Sequence, residues 1–301
     1  MKRNIKKFLF PAVAVAVLSF AACSDWTETE SLDINYPTLE EQNPELYKQY
    51  LKALRDYKAG EHKVVLVSMD NTTSAPAQRN EHLTTMPDSV DIICLMNPDN
   101  LHPTLAGEFA KVREKGTRVI YNIDYNAIEK LWEKVLADEE ANKPEEPTNP
   151  STPEATQDEG GEGGGEGEPT PEEELELRFL EFCRQQTVSQ LNLCAKYGYD
   201  GVQVNYTGRA PQAMQEEEKA QYAARQEAFF SNVKTWNEAN SGKVLVFQGN
   251  PQNLIDKSVL GECDYIVIPA LTATSADKMS FAVLMAAVEA VSYTHLRAHE
   301  T

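Results

Sequence analysis

The chain has 301 residues, room for one large domain or two ordinary ones, and a formal charge of −19. The charge is uneven: from Asp138 to Glu176 fifteen acidic residues stand against one basic residue, Lys143, a net of −14. Nothing in this balance points to a nucleic-acid partner, because no basic face is available to neutralise phosphates.

The first ten residues carry Lys2, Arg3, Lys6 and Lys7, and an apolar run follows from Phe8 to Ala22. The run is short for a transmembrane span and ends in small residues, so residues 1–22 read as a signal peptide. It closes in "LSFAAC", which resembles the lipobox of bacterial lipoproteins and marks Cys23 for lipidation. "SDWTETE" follows, similar to the surface-export signal of Bacteroidetes lipoproteins. Acyl chains on Cys23 would hold the protein in the outer membrane, exposed at the cell surface, with residues 23–43 as a tether. Cys94, Cys183, Cys194 and Cys263 remain. Four cysteines allow three pairings, and spacing does not choose among them. Their apolar surroundings favour small buried hydrophobes over a disulfide framework. No Cys/His cluster has metal-ligand spacing, and no cofactor is implied.

Past the tether, one domain is expected over residues 44–291. "PELYKQYLKALRDYKAG" is an amphipathic helix closed by Gly60. Lys63 to Met69 and Val90 to Met96 read as strands, and "HPTLAGEFAKVREKG" as a helix ended by Gly116. Arg118 to Asp124 is a third strand, and "NAIEKLWEKVLADEE" begins a helix. Residues 142–171 are an acidic Pro/Gly-rich stretch that cannot bury enough apolar area to order itself, a solvated insertion within the domain. "ELELRFLEFCRQQTVSQLNLCAKYG" is a helix. "DGVQVNY" is the fourth strand, with Val202, Val204 and Tyr206 alternating against Gln203, Asn205 and Thr207. A long helix runs from Pro211 to Ala239. Lys243 to Gly249 and Tyr265 to Leu271 are the fifth and sixth strands, and "KMSFAVLMAAVEA" is the helix after them. "VSYTHLRAHET" is not amphipathic at any clear period. It resembles translated sequencing-adapter read-through, so residues 292–301 are expected to be a non-native tail.

Short apolar strands alternating with helices imply βα units and a parallel sheet. No glycine-rich phosphate loop follows any strand, which argues against a nucleotide site. The strands instead end in polar or small residues. In a (β/α)8 barrel such ends form the binding face.

"DGVQVNYT" at the end of the fourth strand resembles the DGxDxDxE signature of glycoside hydrolase family 18, the chitinase and endo-N-acetylglucosaminidase family. Asp200 and Gly201 match it, while Gln203, Asn205 and Thr207 stand where the second Asp, third Asp and catalytic Glu belong. The resemblance implies an α/β (β/α)8 TIM barrel, here truncated at its C-terminal side to about six βα units. In that family the Glu protonates the glycosidic oxygen, and the Asp before it orients the substrate acetamido group, which acts as internal nucleophile. Thr207 cannot supply a proton at neutral pH, and loss of a general acid costs roughly 10²–10⁴-fold in rate.

All three replacements keep hydrogen-bonding groups and discard acid–base function. No catalytic residue is assigned. The expected glycan-binding set is Asp70, Asn97, Asp124, Tyr125, Gln203, Asn205, Tyr206, Gln248 and Asn250, with the two tyrosines as stacking platforms. The ligand implied by the resemblance is a glycan containing N-acetylglucosamine, with glycan-import proteins as expected neighbours. Two alternatives stand beside this one: an active endo-glycosidase with a displaced carboxylate, for which Asp70 and Asp124 are candidates, and a structural lipoprotein with no sugar site.

Overall fold

The computed structural model describes residues 37–72, 75–143, 169–270 and 273–294. Cys23, the signal segment, most of the acidic insertion and most of the tail lie outside the described residues. Residues 1–50 and 51–301 form two compact units. The first holds a short helix, α1 (Leu39–Gln42), and the start of α2 (Pro44–Ala59).

The second unit is built on six strands: β1 (Leu66–Met69), β2 (Ile92–Leu95), β3 (Arg118–Asp124), β4 (Gly201–Tyr206), β5 (Val244–Gly249) and β6 (Tyr265–Val267). All are parallel and paired in chain order, the arrangement of six successive strands of a (β/α)8 barrel. The helices are α3 (Pro103–Glu114), α4 (Tyr125–Ala141), α5 (Pro171–Tyr197), α6 (Glu216–Ala239) and α7 (Ala276–Thr294). Turns of 3₁₀ helix, not α-helices, join β1 to β2 and β5 to β6.

Local chemistry sets the helix ends. Thr170 Oγ1 accepts the backbone N–H of Glu173 while the Glu173 carboxylate accepts the N–H of Thr170, and Pro171 takes the first helical position of α5. Gly198 ends the same helix at a φ of 70°, a left-handed conformation that glycine adopts without strain. The long sixth helix starts at Glu216, because Pro211–Ala213 close into a separate 3₁₀ turn. Strands β1 and β6 are shorter than the apolar runs suggest; Val64 and Val65 remain exposed.

Two apolar layers cover the sheet. Val202, Val204 and Tyr206 join Tyr121, Tyr125, Phe229, Phe230 and Phe247 in the layer that includes the helices. On the opposite face Ile92, Cys94, Ile120, Val244 and Val246 form a smaller cluster inside the arc. The four described cysteines are buried, and none of them forms a disulfide. Burial pushes the Cys94 thiol up to about 12, so it packs as an inert hydrophobe.

The start of each even strand carries one aspartate: Asp91 before β2, Asp200 before β4, Asp264 before β6. Each accepts a backbone N–H from the preceding strand region: Val65 at 2.7 Å, Val119 at 2.8 Å and Leu245 at 2.9 Å. These carboxylates close the ladder where it would otherwise leave unpaired donors. Gly201 completes the fit, since a Cβ there would stand 2.1 Å from the Val244 carbonyl oxygen.

Candidate functional site at the strand ends

The register of β3, β4 and β5 stacks the inner-face side chains in rows. Ile120, Gly201 and Val244 form the lowest row, Asn122, Gln203 and Val246 the next, and Asp124, Asn205 and Gln248 the row at the strand ends. Period-two alternation makes this possible: every second residue of a strand faces the same side. The inside of the arc therefore changes from apolar to amide to an open polar rim.

Gln203 is fully buried, and its Nε2 donates to Asn122 Oδ1 at 3.1 Å. Its own Oε1 has no hydrogen-bond partner. The sugar contact expected of Gln203 is therefore corrected: it is sealed beneath the rim and holds Asn122, which sequence reasoning missed. The signal was there, because Asn122 stands two residues before Asp124 in "RVIYNID" and shares its face.

Asn205 and Gln248 are register neighbours on the rim, both half-buried. Neither side chain has a hydrogen-bond partner among the described residues. Asp124 Oδ1 accepts the Asn126 N–H at 3.0 Å and so caps α4. Thr207, just beyond β4, is held from three sides. Asn126 Nδ2 donates to its hydroxyl at 3.1 Å, and Asn250 and Asn253 donate to its carbonyl at 3.1 and 2.7 Å. Asn250 is thereby spent on loop structure, and Asn126 and Asn253 are further residues that the sequence did not single out.

Asp70 and Asn97 come together at the ends of β1 and β2. Asp70 Oδ1 accepts from the Thr72 N–H and from Asn97 Nδ2, each at 3.0 Å. Buried Asn71 exchanges two hydrogen bonds with the Asn97 backbone and ties the strand ends. A cleft of about 310 Å³ opens beside them, and Asn97, Asn122 and Asp124 all line it.

Tyr125 and Tyr206 do not serve as sugar platforms. Their rings pack 5.0 Å apart on the helix side of the sheet, 4% and 0% exposed, against Phe229 and Phe230. Alternation puts Tyr206 on the face opposite Asn205. Gln226 Nε2 donates to the Tyr206 hydroxyl at 2.9 Å, and burial pushes both phenols well above their ordinary pKa. Glu129 of α4, whose pKa burial raises, interacts with Tyr125 on that same helix side. It is the wrong face for a proton donor at the rim. Asp200 is also placed away from the rim: it lies at the start of β4, the opposite end of the sheet, paired with Arg113 at 2.9 Å.

These positions bring hydrogen-bonding amides and two carboxylates, Asp70 and Asp124, to the strand ends of a barrel-like sheet. The sequence matches the family described as "Glycoside hydrolase family 18, BT1044-like" over residues 27–158 and 172–294. Among solved structures, a BT1044 variant has a TM-score of 0.50 at 15% identity, covering 83% of this chain and 69% of that one. The glycoside hydrolase domain of PelA from Pseudomonas aeruginosa has a TM-score of 0.38 at 13% identity, with 79% and 81% covered. No match was found among curated proteins. The family match spans most of the chain, and the BT1044 structure shares its fold: the chain belongs to glycoside hydrolase family 18, in its BT1044-like group.

Proposed function

We propose that the rim formed by Asn205 and Gln248 retains a glycan containing N-acetylglucosamine without cutting it. The observation that carries this reading is the pair itself: two half-buried primary amides, adjacent in register, with no partners of their own. A primary amide offers two donors and an acceptor, which suits sugar hydroxyls and an acetamido group. In the position of the family's proton donor, Thr207 offers a hydroxyl already engaged by Asn126. A site that orients but does not protonate forgoes roughly 10²–10⁴-fold in rate. Lipidation at Cys23 would present this rim at the outer-membrane surface, beside glycan-import proteins.

Titration of a chito-oligosaccharide tests the reading. The wild-type chain is expected to bind it, and Asn205→Ala to weaken binding about tenfold, the loss of one or two neutral hydrogen bonds. Asn205 supports no other group, so the variant should keep its fold. Equal binding by both proteins would sink the proposal.

A second reading follows from one observation: Asp124 is the register neighbour of Asn205. As a displaced acid it would act on the bond held beside it. Its cap on α4 opposes this, because leaving the cap costs about 1 kcal/mol. Hydrolysis that disappears in Asp124→Asn would establish this reading in place of the first.

A further inference from the structure

The other end of the sheet carries a concentration of positive charge that runs against the chain's net −19. Two clefts of about 340 and 450 Å³ open there and share Arg118 and Asp200 as lining residues. Arg55, Lys58 and Arg113 line the first, with His62, and Lys243 lines the second. The carboxylates lining them are Asp91 and Asp200. Both are already committed, Asp91 to the Val65 N–H and His62, Asp200 to the Val119 N–H and Arg113.

Three of the cations are fixed by neutral acceptors. Arg55 donates to the Glu114 carbonyl at 2.7 Å, Lys58 to the Val90 carbonyl at 2.6 Å and Thr117 Oγ1 at 2.8 Å, and Lys243 to the Tyr199 carbonyl at 2.5 Å. A carbonyl positions an ammonium or guanidinium but does not cancel its charge. Arg118 is exposed, and its guanidinium has no partner among the described residues. Five cationic side chains thus surround this space, and the two carboxylates that line it are both already engaged. Clustered like charges are unfavourable unless an anion joins them. A free guanidinium fork matches an oxyanion in bidentate geometry.

We propose that this strand-start end is an oxyanion site, taking a phosphate or sulfate group on Arg118 between Lys58 and Lys243. The site is separate from the sugar rim, at the opposite ends of the same strands. The phosphate could be free or belong to an anionic lipid headgroup.

The test is thermal unfolding of the full chain with inorganic phosphate and pyrophosphate, against chloride at matched ionic strength. Saturable stabilisation by the two phosphates beyond chloride is expected. Arg118→Gln should weaken it about tenfold or more, as for one lost charge-assisted bond. Lys243→Gln, from the other cleft, should weaken it by a smaller factor. Stabilisation equal to chloride, or indifferent to both variants, would overturn the proposal. Vesicles of phosphatidylcholine with and without phosphatidylglycerol then separate the sources. Binding that requires phosphatidylglycerol and is displaced by pyrophosphate assigns a headgroup; its absence, with stabilisation intact, assigns a soluble phosphate.

Discussion

At the scale of single residues, one position that matches the family signature lies at the far end of the strands from the rim. Asp200 matches the family signature, yet it repeats the role of Asp91 and Asp264 in capping a neighbouring strand. Asp200→Ala should lower stability by about 2 kcal/mol, because it strands a backbone donor and the Arg113 guanidinium. Chemical denaturation would read that loss, and chito-oligosaccharide affinity should stay unchanged; a selective loss of affinity would return Asp200 to the site. His62 gives a pH prediction. Its ring nitrogens face the Gly60 carbonyl and the Asp91 carboxylate, each at 2.9 Å, and these bonds raise its pKa, the carbonyl first. Its contribution to stability is therefore complete below the unfolded value of about 6.5 and is lost as pH rises through the higher folded value. Denaturation midpoints from pH 5 to 9 should show that decline, and His62→Gln should remove it. Tyr206 shows how far alternation alone could have gone. The pattern that puts Asn205 on one face puts Tyr206 with Val202 and Val204 on the other.

At the scale of elements, the order of strands and helices was legible because buried parallel strands are continuous apolar runs and helices are amphipathic and capped. The boundaries were less so. Lys63 to Val65 have strand composition but lie before the β1–β2 ladder, which starts at Leu66, and Pro211 opens a separate 3₁₀ turn before α6 begins. Which polar residues meet across strands was not legible at all. The Asn122–Gln203 pair depends on the β3–β4 register, and register is a property of pairing, not of either strand. The contact of α6 with the sheet carries a prediction. Gln226 donates to Tyr206 and the Asn253 carbonyl and accepts from the Ile255 N–H, all at 2.9 Å, the first two buried and the third part-buried. Gln226→Ala removes two buried hydrogen bonds and one part-buried one and should cost about 3 kcal/mol, whereas Tyr206→Phe should cost about 1 kcal/mol. Neither should reduce retention of a glycan, since both lie on the helix side.

At the scale of the whole molecule, the described residues leave apolar surface in the open. Met279, Phe281, Leu284 and Met285 of α7 are each about half or more exposed, 48–64%. The 301-residue chain should therefore associate as its concentration rises and bind a hydrophobic dye. Phe281→Asp with Leu284→Asp should reduce both, as read by light scattering and dye fluorescence. Retention without cleavage at the rim can be read from the glycan itself. The chain is incubated for a day with a high-mannose glycopeptide, and the glycan mass is read by mass spectrometry. An unchanged mass, with the glycopeptide held on a column of the immobilised protein, is the result this account predicts. Glycan released between the two core N-acetylglucosamines would contradict it and turn attention to Asp124.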